Sequence, residues 1–345
     1  MSNADLKQKV KEKLFAVISE QIDLIGYVPA DLAKLVQGES FDVEGHASPV
    51  FDEAALGNAS EGGQGGAARA AGTGVEEAAG AGGPAALARK VNAYYDEAFY
   101  NPHGIMGQML EGTEFRNIGY WDERTTNQKE ASERLFDVLL ASIPEKKGCI
   151  LDVACGMGAS TRRLLNHFPA DQVHAINISE RQIESTRANA PGVHAQVMNA
   201  VDLRFSNESF DNILCIEAAF HFETRRKFLE EAHRVLKSGG RLVLSDVLFT
   251  SRERLAQFPT FPSPENHIAT VAEYEALLRS VGFREVMVKD AFDAIWPPHY
   301  KNALAKIHED LHHGRLNLVQ VTRILWSYYL LDAITGPCLL VCAQK

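Results

Sequence analysis

Cys149-Ile-Leu-Asp-Val-Ala-Cys-Gly-Met-Gly-Ala-Ser160 decides the fold of this chain. Its first five residues read as a buried strand, a turn with Gly156 and Gly158 follows, and 159–167 has helical spacing. Glycines let a backbone come close to a ligand, and the N-terminus of the following helix offers free N–H groups. In an open α/β sheet such a turn lies at the carboxyl end of its strand, where ligands bind. Two nucleotide-like ligands compete for it. A dinucleotide site asks for G-x-G-x-x-G, whose third glycine lets helix and strand pack tightly. Here Thr161 stands at that position, and Asp152 precedes the turn.

The alternation continues on both sides. Further strands are expected at 173–178, 194–198, 212–217, 241–246, 285–290 and 338–343, with helices at 180–189, 225–236 and 271–281. Strands separated by helical stretches predict an α/β fold with a mostly parallel sheet covered on both faces. Upstream, 91–100 and 127–143 have helical spacing, and the irregular Asn117-Ile-Gly-Tyr-Trp121 lies between them. A helical segment at 292–337 interrupts the last two strands.

Residues 1–45 read as a helical extension, with Leu6, Val10, Leu14, Val17, Ile18, Ile22 and Ile25 forming an apolar stripe. That stripe suits a second copy of the chain, making a homodimer, a docking partner, or the core of the same chain, onto which it would fold back. Residues 46–88 hold glycine-rich runs such as Gly62-Gly-Gln-Gly-Gly66 and few large apolar side chains, which predicts a flexible linker. The α/β domain then spans 89–345, with a helical cap drawn from 91–143 and 292–337. A net charge of −10 argues against nucleic-acid binding, which usually demands a basic face. No apolar run approaches the ~20 residues of a membrane span. Met1 to Lys7 lacks the features of a signal peptide, so a cytoplasmic protein is expected. The five cysteines include no C-x-x-C pair and read as small buried hydrophobes.

Strand ends carry the next clues. Asn177 ends the second strand where a ribose-hydroxyl acceptor is expected, with Ile178 beside it. Asn199 and Ala200 follow the third strand, and Asn199 can hydrogen-bond an adenine edge. The fourth strand ends at Glu217, and a fifth follows the glycine pair Gly239-Gly240.

In that order and spacing, 151–158, 175–179, 210–211, 228–240 and 336–345 resemble the class I S-adenosylmethionine-dependent methyltransferases of natural-product and isoprenoid metabolism. The resemblance spans residues 92–345 or so. It implies a Rossmann-like seven-stranded sheet with the last strand antiparallel, and S-adenosylmethionine as cofactor. It implies further that Asp152, Ala154, Gly156 and Gly158 form the turn at the cofactor's methionine end. Asn177, Ile178, Asn199, Ala200 and Glu217 complete the expected cofactor site. The chain departs from D-x-G-x-G-x-G by Ala154, and has Asn177 and Asn199 where acids are usual. An amide still accepts a hydrogen bond, without charge assistance.

Methyl transfer is an in-line displacement from a sulfonium, so orientation and exclusion of water supply much of its catalysis. A hydroxyl acceptor also benefits from a base. His221 follows the fourth strand and is the expected base, because imidazole titrates nearest neutrality. Asp246, ending the fifth strand, is its expected partner. Similar O-methyltransferases carry a His-His pair at this place; here Phe220 replaces the first histidine. Tyr94, Tyr95, Tyr120 and Trp121 are expected to form an aromatic lid over the sulfonium, Tyr94 and Tyr120 foremost. Trp121, Phe220, Phe292, Trp296, Tyr300 and Trp326 are the expected acceptor pocket, suited to a sizeable apolar small molecule. O-methylation of a secondary metabolite is the expected reaction. C- or N-methylation on the same scaffold stands as the alternative, as does a cofactor-binding protein that catalyses another step or serves as a scaffold.

His308-Glu-Asp-Leu-His312 matches the helical zinc pattern H-E-x-x-H, but no third ligand stands at a known spacing. It reads as a surface helix, and no metal is expected.

Overall fold

The computed structural model describes residues 84–100, 113–255, 266–317, 320–321, 324–325, 328 and 331–345. The expected N-terminal extension, the expected linker up to residue 83, and Trp326 lie outside them.

Seven strands form one sheet: β1 Ile150–Val153, β2 Val173–Asn177, β3 His194–Val197, β4 Phe210–Ile216, β5 Leu236–Phe249, β6 Arg284–Asp290 and β7 Thr335–Gln344. Their order is β3-β2-β1-β4-β5-β7-β6. β1 pairs in parallel with β2 and β4, and β7 runs antiparallel between β5 and β6. This is the expected class. β5 is longer than the sequence suggests, because β7 continues to pair with it from Asp246↔Leu339 to Phe249↔Thr335.

The helices are α1 Pro84–Tyr100, α2 Gln128–Ala141, α3 Ala159–Leu164, α4 Glu180–Asn189, α5 Arg225–Val235, α6 Val271–Val281 and α7 Phe292–His312. Asn127, Ser179, Thr224 and Thr270 cap α2, α4, α5 and α6 by accepting a backbone N–H two or three residues inside each helix. α1 starts within the stretch expected as linker. Proline at the first helical position and the alanines after it favour that start.

Alternation along the central strands divides the core between the two faces of the sheet. Leu151, Ile213, Cys215, Leu242, Leu244, Leu339 and Val341 pack with Phe228 and Leu229 of α5 and Tyr274 and Leu278 of α6. Ile150, Leu214, Val243, Cys338 and Leu340 pack on the opposite side with Phe136 and Leu139 of α2 and Ile295 and Trp296 of α7. Parallel strands β2, β1 and β4 all end at one edge. The chain order reverses between β1 and β4, which opens a crevice there. Among the described residues, no helix is long and apolar enough to cross a membrane.

Candidate functional site

The turn after β1 forms the floor of the crevice. Ala154, Gly156 and Gly158 all have left-handed backbone, at φ 60°, 57° and 87°. A methyl group in that conformation costs about 1 kcal/mol, so Ala154 keeps the shape of a glycine at some strain. Gly158 has no room for a side chain, since a Cβ there would lie 2.8 Å from the Cα of Thr186 on α4. Gly156 is the opposite case: the nearest atom to its missing Cβ is Cζ of Phe99, 4.0 Å away, and the space between is cavity. Asp152 lies below this floor. Its carboxylate accepts from Ser160 Oγ and Thr161 Oγ1, both at 2.7 Å, and so ties α3 to the strand end. Burial pushes that carboxyl up to about 6. Asp152 shapes the turn from beneath, and it is not part of the cavity wall.

Asn177, Ile178, Asn199 and Ala200 line one side of the cavity. Asn177 Oδ1 accepts from Ser179 N at 3.0 Å, and its Nδ2 donates to Gln182 Oε1 at 3.1 Å. Ser179 Oγ and Gln182 Nε2 then both donate to Asp96 Oδ1 of α1, at 2.6 and 2.9 Å. The carboxylate missing at 177 therefore reaches this network from another element.

The other side is built on β4 and the turn beyond it. Glu217 has φ 47° and lines the cavity. Its Oε2 accepts from Ile118 N at 2.7 Å, and burial pushes the carboxyl up to about 8. His221 ends a short helical turn, Ala219–His221, and its Nε2 lies 2.6 Å from the hydroxyl of Tyr95. Burial, with Glu217 nearby, raises the Tyr95 phenol and keeps it protonated.

Asp246 is a correction. It was expected to orient His221, but its two oxygens are taken by the buried guanidinium of Arg225, at 2.6 and 3.1 Å. A buried cation on α5 needs a full counter-charge, and Asp246 is the carboxylate within reach. The pair still bears on His221 indirectly. Arg225 Nη1 donates to Asn266 O at 2.6 Å, and Asn266 Nδ2 donates to the carbonyls of Ala219 and Phe222 at 3.3 and 3.0 Å. The turn holding His221 is thus clamped from behind.

The aromatic expectations divide. Tyr95 lines the cavity, not its neighbour Tyr94, and it shares its face of α1 with Val91, Asn92 and Phe99. Tyr120 packs among partly buried core residues, and Trp121 donates from its indole to Ile118 O at 3.0 Å. Phe220 packs beside His221, with ring centroids 4.3 Å apart. Phe292, Trp296 and Tyr300 lie with the α7 core against the sheet, away from the walls of this cavity; Trp296 bonds Asp332 Oδ1 at 3.0 Å. Trp296 is buried and Phe292 and Tyr300 are partly buried, all against the sheet.

Sequence reasoning passed over Asn92, Phe99 and Arg116 on the walls and Asp96 behind them. The spacing of Val91, Tyr95 and Phe99 was the available signal. Among the described residues, no three His, Cys, Asp or Glu side chains gather as a metal site would require.

Comparison with known proteins bears on this crevice. The family described as "Methyltransferase domain" matches residues 151–244. The chain is 32% identical over 224 residues to the O-methyltransferase resE of Aspergillus sclerotiorum, covering 61% of this chain and 81% of that protein. It is 31% identical over 204 residues to the 27-O-demethylrifamycin SV methyltransferase of Amycolatopsis mediterranei, covering 54% and 72%. The fold matches geranyl diphosphate C-methyltransferase from Streptomyces coelicolor A3(2), solved with S-adenosyl-L-homocysteine, at a TM-score of 0.56 and 16% identity. That match covers 76% of this chain and 99% of the other.

Proposed function

The chain belongs to the class I S-adenosylmethionine-dependent methyltransferases of small molecules, and we propose that it methylates a hydroxyl of a small, largely apolar metabolite, with His221 as general base. The cavity fits the cofactor. Its floor at Gly156 is bare backbone facing open space, and Asn177, Ile178, Asn199 and Ala200 offer an edge for the adenosine. When bound, S-adenosylmethionine supplies an electrophilic methyl group on a sulfonium. Everything else falls to the protein: holding the acceptor in line, excluding water, and removing the acceptor's proton.

The 2.6 Å contact between Tyr95 and Nε2 of His221 carries this reading. It puts an imidazole nitrogen at the cavity wall, within reach of an oxygen that both donates and accepts. The acceptor hydroxyl passes its proton to the Tyr95 oxygen while Tyr95 passes its own to Nε2. The phenol gains one proton as it loses the other and stays neutral, as its buried setting demands. Asp246, Arg225 and Asn266 hold the His221 turn in place and touch no reactant. Relatives named as O-methyltransferases support oxygen as the methylated atom, and Val91, Phe99, Phe115 and Phe222 on the walls support an apolar acceptor.

The test is incubation with methyl-labelled S-adenosylmethionine and a panel of phenols and alcohols, alongside their amine and carbon-acid analogues. Label on oxygen is expected. Label on nitrogen or carbon would refute O-methylation, and cofactor binding with no release of S-adenosylhomocysteine would refute methyl transfer to the panel.

A further inference from the structure

Arg116 and Glu217 face the same cavity with opposite charge. Each has a buried polar atom with no partner among the described residues: Nε of Arg116 and Oε1 of Glu217. Both belong to one piece of wall, because the N–H of Ile118, two residues beyond Arg116, holds the other oxygen of Glu217. Buried polar atoms are nearly always paired, so two orphans of opposite sign on one cavity point to a ligand that pairs them.

The surroundings of Arg116 sharpen this. Its guanidinium donates to the carbonyls of Thr113 and Phe115 and lies over the ring of Phe99, 4.7 Å from the centroid. Those partners are neutral. The nearby carboxylate of Glu114 is already engaged by Arg162 at 2.7 Å and by Asn189 at 3.1 Å. Burial without a dedicated counter-ion pulls the guanidinium down to about 10. Phe99 is also the nearest neighbour of the open space over Gly156. Arg116 therefore stands one aromatic ring from the glycine turn, and it is the one lysine or arginine among the described wall residues.

We propose that Arg116 and Glu217 clamp the amino-acid end of S-adenosylmethionine, Arg116 taking the α-carboxylate and Glu217 the α-ammonium. This rests on the cavity being the cofactor site. A carboxylate and an ammonium on one carbon are what an orphan guanidinium and an orphan carboxylate on one wall can pair with together. The ammonium would also draw the Glu217 carboxyl back toward its ionised form.

Calorimetric titration with S-adenosylhomocysteine and with 5′-methylthioadenosine, which keeps the adenosine and thioether but lacks the amino-acid end, tests the clamp. Arg116→Gln and Glu217→Gln should each weaken S-adenosylhomocysteine about 10- to 100-fold and leave 5′-methylthioadenosine unchanged. Arg116→Lys should recover part of the loss. Equal weakening of both ligands, or of neither, overturns the clamp. Should the glutamine variants fail to fold, the wild type decides alone: decarboxylated S-adenosylmethionine must bind more weakly than S-adenosylmethionine, and equal affinity overturns the proposal. A wild type that binds none of these ligands refutes the cofactor-site reading itself, and the clamp with it.

Discussion

The hydroxyl of Tyr95 lies 2.6 Å from Nε2 of His221, and their rings meet edge-on at 83°. This contact joins α1 to the turn after β4. Removing the imidazole by His221→Ala should lower the single-turnover rate about 10²- to 10⁴-fold, the usual range for a lost general base. Tyr95→Phe should cost about tenfold or more, through loss of the relay oxygen. S-adenosylhomocysteine affinity should hold in His221→Ala, which titration would check. A His221→Ala enzyme at full rate would end the general-base reading.

Asp246→Asn leaves the buried Arg225 guanidinium without its counter-charge. The expected loss is about 3–5 kcal/mol of unfolding free energy, as for other buried pairs broken on one side. Denaturant unfolding measures it. Because Arg225 and Asn266 brace the His221 turn, methyl transfer by the surviving folded fraction should fall too. A variant as stable as wild type would mean that the pair is not the brace described above.

The two ends of the glycine turn should respond unequally to substitution. Gly158→Ala forces a methyl group into left-handed backbone and against the Cα of Thr186 at 2.8 Å. A loss of about 2–4 kcal/mol is expected from strain and overlap together. Ala154→Gly relieves strain at φ 60° and should be close to neutral, since the added flexibility of the unfolded chain offsets most of the gain. Paired thermal melts would reveal the asymmetry.

Stability without ligand should fall as pH rises above 6.5, where Glu217 still titrates and the burial-lowered histidines, His299 foremost, no longer act in the opposite sense. The Glu217 carboxyl goes from its ordinary 4.5 to about 8 on folding, and Asp152 from 3.8 to about 6. A group raised in this way keeps its proton in the folded chain after the unfolded chain has released it. Its contribution is complete below the unfolded value and is lost as pH passes up through the folded one. The slope approaches about 1.4 kcal/mol per pH unit for each group within its window. Melting temperatures of the unliganded protein from pH 6.5 to 8 should decline, and less steeply in Glu217→Gln. A flat profile in both proteins would contradict this.

The sheet was legible in the sequence because each strand and its following turn are local signals: an apolar run, then Gly156 or Asn177 or Glu217. The site residues that follow strand ends were legible for the same reason, and Asn177, Asn199, Glu217 and His221 all line one cavity. What a helix contributes was not. Tyr94 and Tyr95 are adjacent on α1, about 100° apart around its axis, and sequence alone does not say which direction faces the crevice. Asp246 lies inside β5, three residues short of its end, and its partner depended on a buried arginine from α5 arriving there. Trp296 and Tyr300 carried a true signal of burial. Periodicity tells that a face is covered and is silent on what covers it.

α1 touches the crevice at three stations: Asp96 at the Ser179 cap, Phe99 over the glycine turn, and Tyr95 at His221. A single helix thus spans the nucleoside side and the acceptor side of the pocket. Both sides of the pocket therefore rest on one element, and a substitution that loosens α1, such as Asp96→Ala, should disturb the Asn177 side and the His221 side together.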